Sequence, residues 1–66
     1  MQTIDMNLNI FKEDVIKECF NAFKTVVDGE INIEGERAIV SFYTEDINSI
    51  KEFANYVIGE SAVRYL

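Results

Sequence analysis

The feature that most constrains the fold is the second half of the chain, where an apolar strand leads almost directly into a long apolar-faced helix. Residues 37–43 read RAIVSFY. Apolar side chains occupy both alternating faces of this segment, which predicts a central strand. The helix that follows, residues 46–65, is indicated by apolar side chains at helical spacing. Those side chains are Ile47, Ile50, Phe53, Ala54, Val57 and Ile58.

The first half supplies elements that can pack on this strand–helix pair. Residues 3–10, TIDMNLNI, alternate strictly between polar and apolar side chains and predict a strand with one buried face. Residues 12–24 change to helical spacing and predict a helix, with Cys19 on its apolar stripe as a buried structural thiol. Residues 30–34 predict a short strand, and Gly35 supplies the turn of a hairpin.

The order strand, helix, strand, strand, helix predicts one α+β domain over residues 1–66. Because strand three is expected to be central, the sheet should have the order 1-3-2, with both helices on one face. Gly59 either ends the last helix or lies within it. A helix reaching residue 65 would be ~30 Å long against ~23 Å for a seven-residue strand, so its last turns should overhang the sheet and favour a partner.

Composition favours a binding protein over an enzyme. The chain has no His, one Cys and no glycine-rich phosphate loop, so we expect no catalytic site, no metal, no cofactor and no small-molecule substrate. The lone Cys fits a reducing, cytoplasmic location, and no apolar run is long enough for a membrane span. Hydrophobic residues make up 48% of only 66 residues, which favours completion of the core against a partner.

Candidate contact residues fall into two groups. Apolar and aromatic side chains left over on the last helix are expected to dock on a protein partner; these are Phe53, Tyr56, Val63, Tyr65 and Leu66. Basic side chains that could contact RNA are Lys17, Lys24, Lys51 and Arg64. The formal charge of −6 opposes nonspecific binding to phosphates. The acidic pairs at residues 13–14 and 45–46 are explained by the dipoles of the helices that begin there.

Residues 44–55, TEDINSIKEFAN, resemble the small dimer-forming subunit of the KEOPS complex, which transfers threonylcarbamoyl to adenosine of tRNA. That family carries A-x-D-x-x-x-L-R near the start of its last helix, often with Asn four residues later. The matching positions are Thr44, Asp46, Ile50, Lys51 and Asn55. The resemblance implies a non-catalytic accessory subunit that forms a homodimer, docks on the catalytic ATPase-fold subunit and possibly helps to hold tRNA.

A second family offers an alternative. Residues 20–42, together with Phe53-Ala54-Asn55 and the later Arg64, look similar to the His-Xaa-Ser system D protein. That protein is a small companion of radical-SAM peptide-modifying enzymes, and it shares the short link between the first helix and the second strand. The KEOPS-like interpretation is favoured by Asp46 and Lys51, which the second family matches less well. Both families are accessory binding proteins.

Overall fold

The computed structural model describes residues 1–65. Its elements are β1 (Gln2–Asn7), α1 (Glu13–Phe23), β2 (Gly29–Glu34), β3 (Arg37–Phe42) and α2 (Ile47–Tyr65). The strands form one sheet in the order β1-β3-β2, and β3 is antiparallel to both neighbours. The two helices pack against each other and on one face of this sheet. The predicted α+β fold, the strand order and the central position of β3 are therefore confirmed.

The core lies between the sheet and the helices. Across the sheet, Ile4 and Ile31 oppose Val40, so one face presents a row of branched apolar side chains to the helices. The apolar stripe of α1 covers this face, as the helical spacing predicted. The buried side chains are Met6, Val15, Ile16, Cys19, Phe20, Ala38, Val40, Phe42, Phe53 and Val57.

The other face of the sheet is polar, which corrects the expectation that β3 is apolar on both sides. Ser41 is buried there and its hydroxyl lies 3.0 Å from that of Thr3. Ile39 is only half-buried. Tyr43 lies beyond the end of β3 and is exposed, with its hydroxyl donating to Glu30 over 3.0 Å. The central position of β3 therefore comes from pairing with two neighbours and from one buried face.

β1 ends at Asn7 and not at Ile10, although the polar–apolar alternation continues to Ile10. The side-chain oxygen of Asn7 accepts a hydrogen bond from the Asn9 N–H, and its carbonyl accepts one from the Phe11 N–H. Asn favours such turns because its short side chain substitutes for a backbone acceptor. This local hydrogen bonding turns the chain away from the sheet, so the alternation overstates the length of the strand.

Both helices are slightly shorter than predicted. Lys12 and Lys24 flank α1, which spans Glu13–Phe23. α2 begins at Ile47, and the Asp46 carboxylate accepts a hydrogen bond from the Asn48 N–H over 3.0 Å. Asp46 is thus the N-cap of α2.

The C-terminal end of α2 contacts α1. The helix runs through Gly59 and reaches Tyr65. Arg64 pairs with Glu18 of α1, and the Tyr65 hydroxyl donates to Asp14 of the same helix over 2.9 Å. The last turn of α2 is therefore tied to the first half of α1, and the two helices run antiparallel.

Two glycines give opposite predictions for substitution by alanine. A Cβ at Gly29 would clash with the carbonyl oxygen of Ser41 and lie 2.9 Å from the Phe42 ring, whereas a Cβ at Gly59 meets nothing within 4 Å. We expect Gly29→Ala to lower the free energy of unfolding by about 1–3 kcal/mol through overpacking. Gly59→Ala should raise it by about 1 kcal/mol because Ala favours the helix interior.

Urea unfolding followed by circular dichroism measures both changes. A Gly29→Ala variant as stable as the parent chain would contradict the close packing of β2 against β3. A destabilised Gly59→Ala variant would show that α2 does not continue through this position in solution.

Candidate protein-docking surface

An exposed apolar surface lies along the C-terminal half of α2 and the turn after β1. Ile10 is 70% exposed, Ile58 52%, Val63 83% and Tyr65 51%. Ala62 lies one turn after Ile58 and is also exposed. We refer to Ile10, Ile58, Ala62 and Tyr65 as the docking surface. Val63 lies five residues after Ile58 and hence about 140° around the helix, so it is exposed on a different face of α2. Exposed apolar side chains that adjoin one another often mark interaction sites.

A shallow groove of about 290 Å³ runs within this surface. Its lining residues are Ile10, Phe11, Ile58, Ser61, Ala62 and Tyr65. The Ser61 hydroxyl is buried and has no hydrogen-bond partner among residues 1–65. An unsatisfied buried hydroxyl typically costs ~1–3 kcal/mol. The apolar lining of the groove, formed by Ile10, Ile58 and Ala62, fits an apolar side chain of a partner.

Sequence reasoning assigned Ile10 and Ile58 to the core, and both are exposed. Ile10 continues the alternation of β1, so nothing in the sequence pattern distinguishes it. Ile58 is different, because it lies one residue after the buried Val57 and hence about 100° around the helix. A narrower apolar stripe centred on Phe53 and Val57 would have placed Ile58 at its margin. Ile47, expected in the same stripe, is also exposed.

The predicted docking residues separate into different environments. Tyr65 lies on the docking surface, whereas Val63 is exposed on another face of α2. Phe53 is fully buried, with its ring 5.3 Å from Phe42, so its prediction as a docking residue is wrong. The inner face of α2 directs Phe53 toward β3. Tyr56 stacks on Phe23 near the other end of α2. Leu66 lies outside the described residues.

Polar contacts hold the Tyr65 ring at the edge of the docking surface. Its hydroxyl donates to Asp14, and the Lys12 ammonium lies 5.8 Å from the ring centroid. The hydrogen bond to Asp14 is the main cause that raises the pKa of Tyr65 above its ordinary value, with desolvation adding to it. The phenol is therefore neutral at physiological pH and acts as a hydrogen-bond donor rather than as a base.

The four basic residues proposed for RNA contact are engaged to different degrees. Lys17 pairs with Glu13 at 2.8 Å, and the Lys24 ammonium lies 5.9 Å from the Phe20 ring centroid. Arg64 pairs with the carboxylates of Glu18 and Glu60, which raise its pKa. Lys51 is exposed on α2 and forms no salt bridge with residues 1–65. Lys51 is thus the least committed of the four.

The residues that match the KEOPS motif surround the start of α2. The Thr44 hydroxyl accepts the Asp46 N–H over 3.1 Å, and Asp46 caps the helix. Ile50 is half-buried against the core. Helix capping and packing explain these three positions without a ligand. Lys51 and Asn55 are exposed and remain accessible for recognition.

The groups that could support catalysis or metal binding are isolated. Cys19 is 2% exposed, and burial, together with the nearby Glu60 and Glu18, raises the pKa of its thiol. A buried neutral thiol is a poor nucleophile. Residues 1–65 contain no cluster of three or more His, Cys, Asp or Glu that could hold a metal ion. Over the same residues, neither helix is long and apolar enough to cross a membrane.

Comparisons of this chain with protein-family models, with curated proteins and with solved structures find no match.

Asp14→Asn should lower the pKa of Tyr65 toward its ordinary value of about 10, because the negative charge that disfavours the phenolate is removed. In the parent chain the Tyr65–Asp14 contact stabilises the fold in full below about pH 10. Its contribution is lost as the pH rises through the raised pKa.

Nuclear magnetic resonance titration of the tyrosine Cζ signals measures this change. Tyr43 provides an internal control, because its pKa is raised mainly by its hydrogen bond to Glu30. The Tyr43 pKa should stay raised in Asp14→Asn. An unchanged Tyr65 pKa, or equal shifts of the two tyrosines, would contradict a direct contact with Asp14.

Proposed function

We propose that this chain is a non-catalytic accessory subunit that acts by docking on a larger protein. The observation that supports this proposal is the docking surface, on which Ile10, Ile58 and Tyr65 are exposed in a domain of only 66 residues. The buried Cys19 offers no nucleophile to support a competing enzymatic function.

The partner class that the resemblance favours is the catalytic ATPase-fold subunit of a KEOPS complex. In that role the chain would homodimerise in the cytoplasm and support threonylcarbamoyl modification of tRNA adenosine. The βαββα order and the strand order 1-3-2 are compatible with this assignment. Among the exposed motif residues, Lys51 carries the positive charge that would contact an RNA phosphate.

A radical-SAM peptide-modifying enzyme is the second candidate partner. The link between α1 and β2 is short, running from Lys24 to Asp28, and this favours resemblance to the His-Xaa-Ser system D protein. The capping roles of Thr44 and Asp46 also weaken the KEOPS motif as evidence, because these residues are useful to any helix that starts here.

The two candidates are separated by co-expression. The tagged chain is produced with the KEOPS ATPase-fold subunit and, in parallel, with a radical-SAM enzyme from the same genome. The expected result is a stable complex of defined mass with one of them. Failure to bind either protein, or catalytic turnover by the isolated chain, would contradict the proposal.

Ile58→Asp should weaken docking at least tenfold, because a charge placed in a desolvated interface cannot be paired and an apolar contact is lost. Ile58 is 52% exposed and lies outside the buried core, so helix content and stability should change little. Calorimetric titration with the co-purifying partner measures the affinity. Asn32→Asp, which adds the same charge at an exposed position of β2, is the matched control and should bind as the parent chain does.

Lys51→Ala tests the RNA contact separately from protein docking. If Lys51 contacts a phosphate, the slope of log affinity for tRNA against log salt should fall by about 1 in the variant. Lys17→Ala is the control, because Lys17 already pairs with Glu13. Equal salt slopes for the parent chain and Lys51→Ala would exclude a phosphate contact at this position.

A further inference from the structure

A second groove lies between the end of α1 and the start of α2. Its volume is about 430 Å³, within the range of pockets that hold side chains or small ligands. It is lined by Ala22, Phe23, Val26, Val27, Asp46, Ser49, Glu52 and Tyr56. None of these residues belongs to the docking surface, so the groove is a separate feature of the opposite half of α2.

The apolar part of the groove is formed by the end of α1, the turn that follows it, and α2. The Phe23 carbonyl accepts hydrogen bonds from the N–H groups of Val26 and Val27 at 2.9 and 3.0 Å. Phe23 stacks on Tyr56 with ring centroids 5.7 Å apart, which holds the two helices together at this point. Val26 is 86% exposed. The groove thus presents an exposed valine and two aromatic rings that an incoming apolar side chain can contact.

The charged part of the groove is entirely acidic. Asp46 and Glu52 are both exposed, and the lining contains no Lys or Arg. Asp46 uses one carboxylate oxygen to cap α2. Glu52 forms no side-chain hydrogen bond or salt bridge among residues 1–65, so its charge is available. An apolar floor beside two carboxylates is complementary to an apolar side chain next to a cation.

We propose that this groove binds a short cationic segment of a partner protein. The segment places an aliphatic or aromatic side chain against Phe23, Val26 and Tyr56, and a Lys or Arg beside Glu52 and Asp46. A second copy of this chain is the poorer occupant, because its formal charge of −6 would meet an acidic rim. The proposal is independent of the accessory function argued above, since it uses none of the docking-surface residues.

The test uses three fluorescein-labelled eight-residue peptides and the whole chain. GRLFKLRG carries both apolar and cationic side chains, GELFELEG reverses the charge, and GRGSKSRG removes the apolar side chains. Fluorescence anisotropy should show saturable binding of the first peptide and much weaker binding of the other two. Amide shift changes in the complex should cluster at the groove residues. No saturable binding of the first peptide, or binding of the third as tightly as the first, would overturn the proposal.

Two pairs of variants locate the binding site. Val26→Asn should weaken binding of GRLFKLRG about tenfold or more, whereas Val63→Asn, which is about equally exposed but does not line the groove, should not. Glu52→Gln should weaken it about two- to fivefold, whereas Glu34→Gln on β2, which makes the same change in net charge, should have little effect.

Three outcomes contradict the assignment. Equal effects of Glu52→Gln and Glu34→Gln would show attraction to net charge alone. Equal effects of Val26→Asn and Val63→Asn would place the peptide elsewhere. Self-association of the chain that Val26→Asn abolishes would assign the groove to a second copy. Because Ile58 lines only the docking surface, loss of partner binding in its variant leaves this proposal standing, and the reverse also holds.

Discussion

The packing of three phenylalanine rings around Phe42 is the interaction on which the rest of the structure depends. Phe42 lies on the central strand, and its ring is 5.7 Å from Phe20, 6.0 Å from Phe23 and 5.3 Å from Phe53. These rings join α1 and α2 to the same residue of β3. Truncation of a buried Phe to Ala typically costs ~3–5 kcal/mol, and small domains have only ~5–15 kcal/mol of stability. The cluster therefore holds both helices in place through one strand.

The fold was predictable because apolar side chains recur along the chain at the spacing of a strand or a helix, and this spacing shows which face of each element is buried. β3 and α1 carry apolar side chains at strand and helix spacing, and the order of elements leaves few topologies for so short a chain. The errors occur where local hydrogen bonds compete with that pattern. Asn7 closes a turn and ends β1 early, and Asp46 caps α2 and so moves its start by one residue. These hydrogen bonds depend on the local backbone geometry, which the pattern of polar and apolar residues does not specify.

The candidate surfaces were less predictable, because the exposure of a helical side chain depends on its angular position around the helix axis and not only on whether it is apolar. Val63 and Tyr65 were identified as surplus to the core, but Phe53 was placed outside and Ile58 inside it. Both errors arise because the buried face of α2 is rotated by part of a turn from the face that the sequence predicted. The groove at Val26 involves two helix ends that are distant in sequence, so only their antiparallel packing brings Phe23 and Tyr56 together. No spacing rule within one segment could have identified it.

The apolar side chains at the end of α2 stay exposed because polar contacts fix the orientation of the last helical turn. The Tyr65 hydroxyl is held by Asp14, and Arg64 is held between Glu18 and Glu60, so the last turn is fixed by its polar atoms while Val63 faces outward. These exposed ion pairs each contribute little stability. Their physical role is to fix orientation, since a preorganised surface loses less conformational entropy when a partner binds. The acidic residues that give the chain its negative charge thus include ones that hold its apolar surface ready for a partner.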